Sequence, residues 1–345
     1  MRITPKLQVP SSNLERSSKS EAPITRIAIL ELGTCGLFGA WNLEFGTFIA
    51  FLLFVALPAF SHDSPEHKIN DLSSQLARSN NSPLLLIERA LEHRDLGHFA
   101  DAAADLKAAY QLDSTLTAAL KELALVELAD GKPDLALCSI NQVLGGPASS
   151  RVGELPPDFL IARAEIQTAR RDYRSALADC EAAFRQPTDN VEWYLIRAQL
   201  QRRLGKLRDC LAGLRDGFAK TGSAVLEEEI IDAMIDVGEH KLALKKIERE
   251  LRDSRSRSSW LIRRARVRLA LGQTKSASRD LNAALTELNS RITPDAPDVI
   301  LIIDRGTAHA LLGDNIRARA DLALARTLSA DQFALWRLEQ LLPSV

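Results

Sequence analysis

Few residues in this chain of 345 have the chemistry for catalysis or metal binding: it holds six histidines and four cysteines. His62 and His67 stand in the stretch HDSPEH. A histidine at a chain N-terminus can hold copper through its amine and its ring, with a second histidine completing the site. His62 would take that role if the chain were cut just before it. His93 and His98 are five residues apart, not the four that set two ligands on one helical face, so the spacing predicts that they do not share an ion. No HExxH, GxSxG or phosphate-binding glycine loop occurs, and no cysteine has a credible histidine partner. CxxC is absent as well. Cys138, Cys180 and Cys210 fall on segments where small apolar side chains pack, and are expected to be buried free thiols. The residues therefore predict no catalytic group, no bound metal and no cofactor. A non-enzymatic chain is the expectation, with metal handling through His62 as the alternative.

What remains is charge, and its meaning depends on the elements that carry it. The 44 Lys and Arg nearly cancel the 45 Asp and Glu, which excludes the bulk basicity of a nucleic-acid binder. Hydrophobic residues make up 46% of the chain but aromatics only 5%, so a core must be built from small aliphatic side chains. Glycine at 17 and proline at 14 are too scarce for a turn-rich sandwich or a disordered chain, which leaves long helices.

Internal self-similarity points the same way. Gly97, Gly131, Gly205, Gly238, Gly272 and Gly313 end apolar helical runs at spacings of 34, 74, 33, 34 and 41. The longest spacing splits into 40 and 34 when Arg171 takes a glycine's place, which gives seven copies. With the glycine counted as position 15, position 20 is Ala102, Ala136, Ala176, Cys210, Ala243, Ala277 and Ala318. Position 8 is Ala90, Ala124, Ala164, Ala198, Ile231, Ala265 and Gly306. Position 24 is Leu106, Ile140, Cys180, Leu214, Ile247, Leu281 and Leu322. Small residues at 8 and 20 let two helices approach closely, and the residue at 24 fills the space toward the next pair.

With Ala109, Ala183, Ala284 and Ala325 at position 27, this pattern resembles the tetratricopeptide repeat. The resemblance implies an all-α fold, an α-solenoid of about seven helix-turn-helix repeats wound into a right-handed superhelix. The repeats would cover residues 83–332 and start near 83, 117, 157, 191, 224, 258 and 299. The resemblance also implies a concave groove, lined by first helices, that holds a protein or peptide. The chain departs from the family pattern in keeping the aromatic of position 4 only as Tyr194, and in replacing the proline of position 32, as by Ser114. Turn-rich insertions after Gly145 and from Thr293 are expected to be exposed loops. Residues 62–82 read as a capping helix and linker, with Ile69, Leu72 and Leu76 on one face. Ser82 and Pro83 supply an N-cap and a first-turn proline. Residues 333–345, with Phe333, Trp336, Leu338 and Leu341, read as a second capping helix.

Comparing the copies gives the charges their meaning. Position 7 is arginine in Arg89, Arg163, Arg197, Arg264 and Arg305, and position 23 is aspartate in Asp105, Asp179, Asp280 and Asp321. The aspartates occur only in repeats that have the arginine, which predicts a salt bridge between the two helices of a repeat. Positions 2, 5, 9 and 12 of the first helices point into the groove by helical spacing. They give Leu84, Ile87, Leu91 and Arg94 in repeat one, Leu195, Gln199 and Arg202 in repeat four, and Ile262, Arg266 and Leu269 in repeat six. Such a lining, apolar with scattered arginines, suits an extended or helical peptide and lacks the Lys/Asn carboxylate clamp of chaperone-binding tetratricopeptide domains. Residues 245–279 hold 12 Lys and Arg against Glu248, Glu250 and Asp253, just after an acidic run over residues 227–239. Pairing between the two runs is expected in preference to nucleic-acid binding, since Trp260 is the only aromatic near the basic run.

Residues 1–25 are polar, the chain turns apolar from Ile27, and residues 46–60 carry no charge. Those fifteen residues fall short of the roughly 20 that span a bilayer as a helix. They match the apolar core of an export signal, closed by Pro58 and the small residues Ala59 and Ser61. The expectation is a signal peptide over residues 1–61, cut after Ser61, or an uncleaved membrane tether through residues 27–60. Either form places the repeats outside the cytoplasm, in a periplasmic or other extracytoplasmic space.

Overall fold

The computed structural model describes residues 64–79, 82–144, 156–293, 295, 297–328 and 332–343, all within the unit that runs from Phe60 to Val345. The expected leader, His62 and nearly all of the first insertion lie outside the described residues. Among the described residues there are sixteen helices and no strand, and no helix is long and apolar enough to cross a membrane.

Helix α1 (Pro65–Arg78) leads into seven helix pairs. These are α2 (Pro83–Asp95) with α3 (Phe99–Leu112), α4 (Thr117–Ala129) with α5 (Pro133–Leu144), and α6 (Pro157–Ala169) with α7 (Tyr173–Ala183). There follow α8 (Val191–Arg203) with α9 (Leu207–Thr221), α10 (Ala224–Asp236) with α11 (His240–Asp253), α12 (Ser258–Ala270) with α13 (Thr274–Arg291), and α14 (Val299–Leu312) with α15 (Asn315–Leu328). Helix α16 (Gln332–Glu339) closes the described chain.

One turn geometry joins the helices of every pair. The turn residue has a positive φ, from 71° at Gly205 to 85° at Gly238 in the six pairs where it is glycine, a conformation glycine enters without a Cβ clash. The residue after it donates its N–H to the carbonyl five positions back, from His98 to His93 at 2.8 Å and, in the last pair, from Asp314 to His309 at 2.9 Å. This bond satisfies a helix-end carbonyl that would otherwise be orphaned and fixes the angle at which the second helix leaves. In repeat three the turn residue is Arg171, the one described non-glycine residue with a positive φ, at 62°.

The core follows the repeat pattern. Ala90, Ala124, Ala164 and Ala265 on first helices, and Ala102, Ala136, Ala176, Ala243, Ala277 and Ala318 on second helices, are fully buried. At such contacts an added methylene would force the helices apart. Gly306 carries the idea furthest: a Cβ there would lie 2.8 Å from Leu338 Cδ2 and 3.1 Å from Asp321 Cβ. Cys180 and Cys210 sit in the same packing, and burial pushes their thiols up to about 12 and about 11. Cys138 differs from expectation, because it is exposed. It lies two residues after buried Ala136 on α5, about 200° around the helix from the face that packs. Ser82 occupies the N-cap of α2 without a side-chain capping bond, while Pro83 takes the first turn; side-chain caps do close at Asp172, Asn190, Asp298 and Asp314.

Candidate functional site

Within repeats, the arginine of the first helix meets the aspartate of the second. Arg163 donates Nε and Nη2 to the two Asp179 oxygens at 2.6 Å each, with the arginine side chain 1% exposed. Arg89 grips Asp105 at 2.7 and 2.6 Å, and Arg264 grips Asp280 at 3.0 and 2.7 Å. Arg305 reaches Asp321 at 2.6 Å, and Arg268 adds a further bond to Asp280 at 2.6 Å. Arg197 has no aspartate opposite it. Its guanidinium lies 3.7 Å above the Phe184 ring instead, and Gly213 opposite leaves it room, since a Cβ there would stand 2.9 Å from Nη2. Burial lowers the pKa of Arg197, the expected cost of a cation with the ring faces of Phe184 and Tyr194 and one carbonyl beside it but no carboxylate bonded to it.

A different arrangement forms on the concave side of repeats four to seven, where first helices α8, α10, α12 and α14 surround a cavity of about 790 Å³. Asp232 on α10 is its electrostatic centre. Arg266 donates to it at 2.5 Å, Arg263 at 3.1 Å, and Arg337 of α16 stands 3.3 Å away. Burial pushes the Asp232 carboxyl up, yet Arg263, Arg337, Arg266 and Arg202 together hold it well below the usual carboxylate range. Arg202 pairs with Glu229 and lies 3.3 Å from Asp236, which also receives Arg266 at 2.8 Å. Asp304 on α14 faces the same cavity and moves the other way: burial raises it to about 6, against the pull of Arg263.

Helix α16 forms one wall of this cavity, through Ala334, Trp336 and Arg337. Its residues divide by helical spacing. Leu335 and Leu338 pack with Ile302, Leu322 and Ala325 of the last repeat. Phe333 and Trp336, stacked with ring centroids 5.5 Å apart, project across the groove to Arg203 at the end of α8, whose guanidinium is 4.9 Å from the Trp336 ring. The capping helix expected to cover the open end thus also reaches back three repeats, with an aromatic pair and an arginine facing the groove.

No family model matches the chain, and no curated protein matches it in sequence. Solved structures do. A tetratricopeptide repeat protein from Parabacteroides merdae superposes with a TM-score of 0.55 at 19% identity, over 75% of this chain and 98% of its own. The fold is that of the tetratricopeptide repeat. The C-terminal part of a TPR repeat-containing protein from Cytophaga hutchinsonii is similar at a TM-score of 0.49 and 13% identity, over 75% of this chain and 100% of its own.

The tetratricopeptide fold distributes the expected groove residues unevenly. Arg202, Ile262 and Arg266 line the cavity. Both arginines are committed to acids of α10, and Ile262 is buried. Leu195 and Leu269 pack partly against the core of the same repeats, and Gln199 is half-buried beside them on α8. The repeat-one residues lie outside this cavity: Leu84 is exposed, Ile87 packs on the first core cluster, Leu91 is half-buried, and Arg94 is bonded to Glu122 at 3.0 Å. Sequence reasoning missed Asp232, Asp236, Asp304, Arg263, Trp336 and Arg337 as a group. The available signal was the acidic run beside the basic one. Those runs do pair, Arg263 and Arg266 with α10 as above, and Lys246 with Glu227 at 2.7 Å.

Proposed function

We propose that this chain is a non-enzymatic scaffold whose tetratricopeptide groove, in repeats four to seven, holds a helical segment of a protein partner carrying an aromatic residue next to an arginine or lysine. The observation behind this is the chemistry of α16. Apart from that helix, the charged cavity walls are Arg202, Arg263, Arg266 and Arg291 against Glu228, Asp232, Asp236, Asp298 and Asp304, four cations to five anions. Arg337 supplies the fifth cation, and Trp336 and Phe333 cover the Arg203 guanidinium. The groove is thus complementary to an aromatic and basic segment, and the chain's own last helix is one.

Selection of a random peptide library on the full chain carrying Trp336→Ala and Arg337→Ala, which open the groove that α16 otherwise fills, tests this. Enrichment of peptides with an aromatic residue one to four positions from an arginine or lysine is the expected result; enrichment of acidic peptides, or none, would refute it. The sequence reading adds a place of action. An export leader joined to a peptide-binding solenoid suits envelope assembly, with the repeats released after Ser61 or held by residues 27–60. The N-terminal mass of the protein from its native cell distinguishes these forms, and an intact unprocessed chain in the cytoplasm would remove both.

A further inference from the structure

The hydrogen bond shared by all seven turns has a consequence for side chains. It joins residues five apart in sequence, so the two side chains at its ends meet at the corner of the repeat even though they do not share a helical face. In repeat seven these positions are His309 and Asp314, and Nδ1 of the one lies 3.9 Å from Oδ2 of the other. In repeat one they are His93 and His98, whose ring centroids are 5.8 Å apart. The five-residue spacing that argued against a shared ion therefore brings them together, because a left-handed glycine, Gly97 at φ 75°, lies between them.

A third donor comes from the first turn of α3. One ligand atom from each of His93, His98 and Asp101 lies within 4.8 Å of the others. Nδ1 of His93 is buried and has no hydrogen-bond partner among the described residues, a cost that a ligand at this corner would offset. We propose that the corner of repeat one binds one divalent first-row transition ion of the zinc class through His93, His98 and Asp101. Ligands around a tetrahedral ion with bonds of about 2.1 Å stand roughly 3.4 Å apart, so closure needs only small rotations. His98 and Asp101 are exposed and free to make them. Two imidazoles favour zinc, nickel, cobalt or copper over magnesium and calcium, which prefer oxygen-only sites. Three protein ligands leave a fourth position for water or for a partner's side chain.

The test uses the untagged full chain, freed of metal and titrated with Co²⁺, with Zn²⁺ in competition. One equivalent of Co²⁺ should bind with the visible absorbance of a low-coordinate nitrogen and oxygen site, and Zn²⁺ should displace it. His98→Ala and Asp101→Asn should each weaken binding by about 100-fold or more. Helicity should be unchanged in both, since neither side chain is buried. His309→Ala, at the equivalent position of repeat seven, should bind as the wild type does. Absence of absorbance in excess Co²⁺ would overturn the proposal. So would binding that survives both substitutions, which would place the ion away from this corner.

Discussion

Removing the Asp179 carboxylate is the sharpest test of the packing account. Arg163 is held by two bonds of 2.6 Å from Asp179, and its third contact, to Asn141, is long at 3.5 Å. Its side chain is 1% exposed, so neither water nor a second acid can replace the carboxylate. A guanidinium does not shed its proton at any ordinary pH, and the charge left behind is uncompensated. Breaking such a pair from one side costs about 3–5 kcal/mol, and Asp179→Ala should lower stability by that amount. At Arg305 the side chain is 22% exposed, water can take over part of the solvation, and Asp321→Ala should cost about 1–3 kcal/mol. Replacing both partners, Arg163→Met with Asp179→Leu, removes the charge as well as its partner and should recover most of the loss. Denaturant unfolding followed by circular dichroism reads the totals. Hydrogen exchange on α6 and α7 shows whether the loss is local, as expected where each repeat touches only its neighbours. A cost below about 1 kcal/mol for Asp179→Ala, or a double variant no better than the single one, would refute the reasoning.

Two further predictions concern strain and pH. Arg171 holds a left-handed turn conformation that glycine occupies in the other six repeats, so Arg171→Gly should stabilise the chain by roughly 0.5–1 kcal/mol in thermal unfolding, after allowing for glycine's extra freedom when unfolded. Burial, with a smaller contribution from Glu192, raises Glu165 to about 7. A carboxyl raised in the folded state binds more protons there than when unfolded, so its contribution to stability is greatest at low pH and falls as pH rises from its unfolded value through 7. Glu165→Gln should remove that slope and stabilise the chain at pH above 7 by about 3 kcal/mol, read as a flattened plot of unfolding midpoint against pH.

The helix pairs were legible because seven copies in one chain repeat the same small residues at the same spacing, and close helix contact admits few alternatives. The Arg163–Asp179 type of pair was legible for the same reason: the two residues covary among the copies. The network around Asp232 offers no such signal. Its members come from α8, α10, α12, α14 and α16, and Arg337 is over a hundred residues away from Asp232 along the chain. The nearness of His93 to His98 was not legible because helical spacing was applied across a turn, where the backbone reverses and the fifth residue returns beside the first. Cys138 was misjudged because the right helix was assigned without its face.

The central claim is that the groove of repeats four to seven recognises an aromatic and basic helix, and that α16 occupies it as such a ligand. Its most direct test is fluorescence anisotropy with a labelled peptide of residues 332–343, titrated into the wild-type chain and into a Trp336→Ala, Arg337→Ala variant. Leu335 and Leu338 keep the variant's own α16 on the last repeat, while its groove-facing side loses Trp336 and Arg337 and keeps only Phe333. The account predicts that the peptide binds the variant at least about tenfold more tightly than the wild type, whose groove is already filled. The same peptide carrying Arg337→Glu should not bind. Equal affinity for both chains, or indifference to that charge reversal in the peptide, would contradict it.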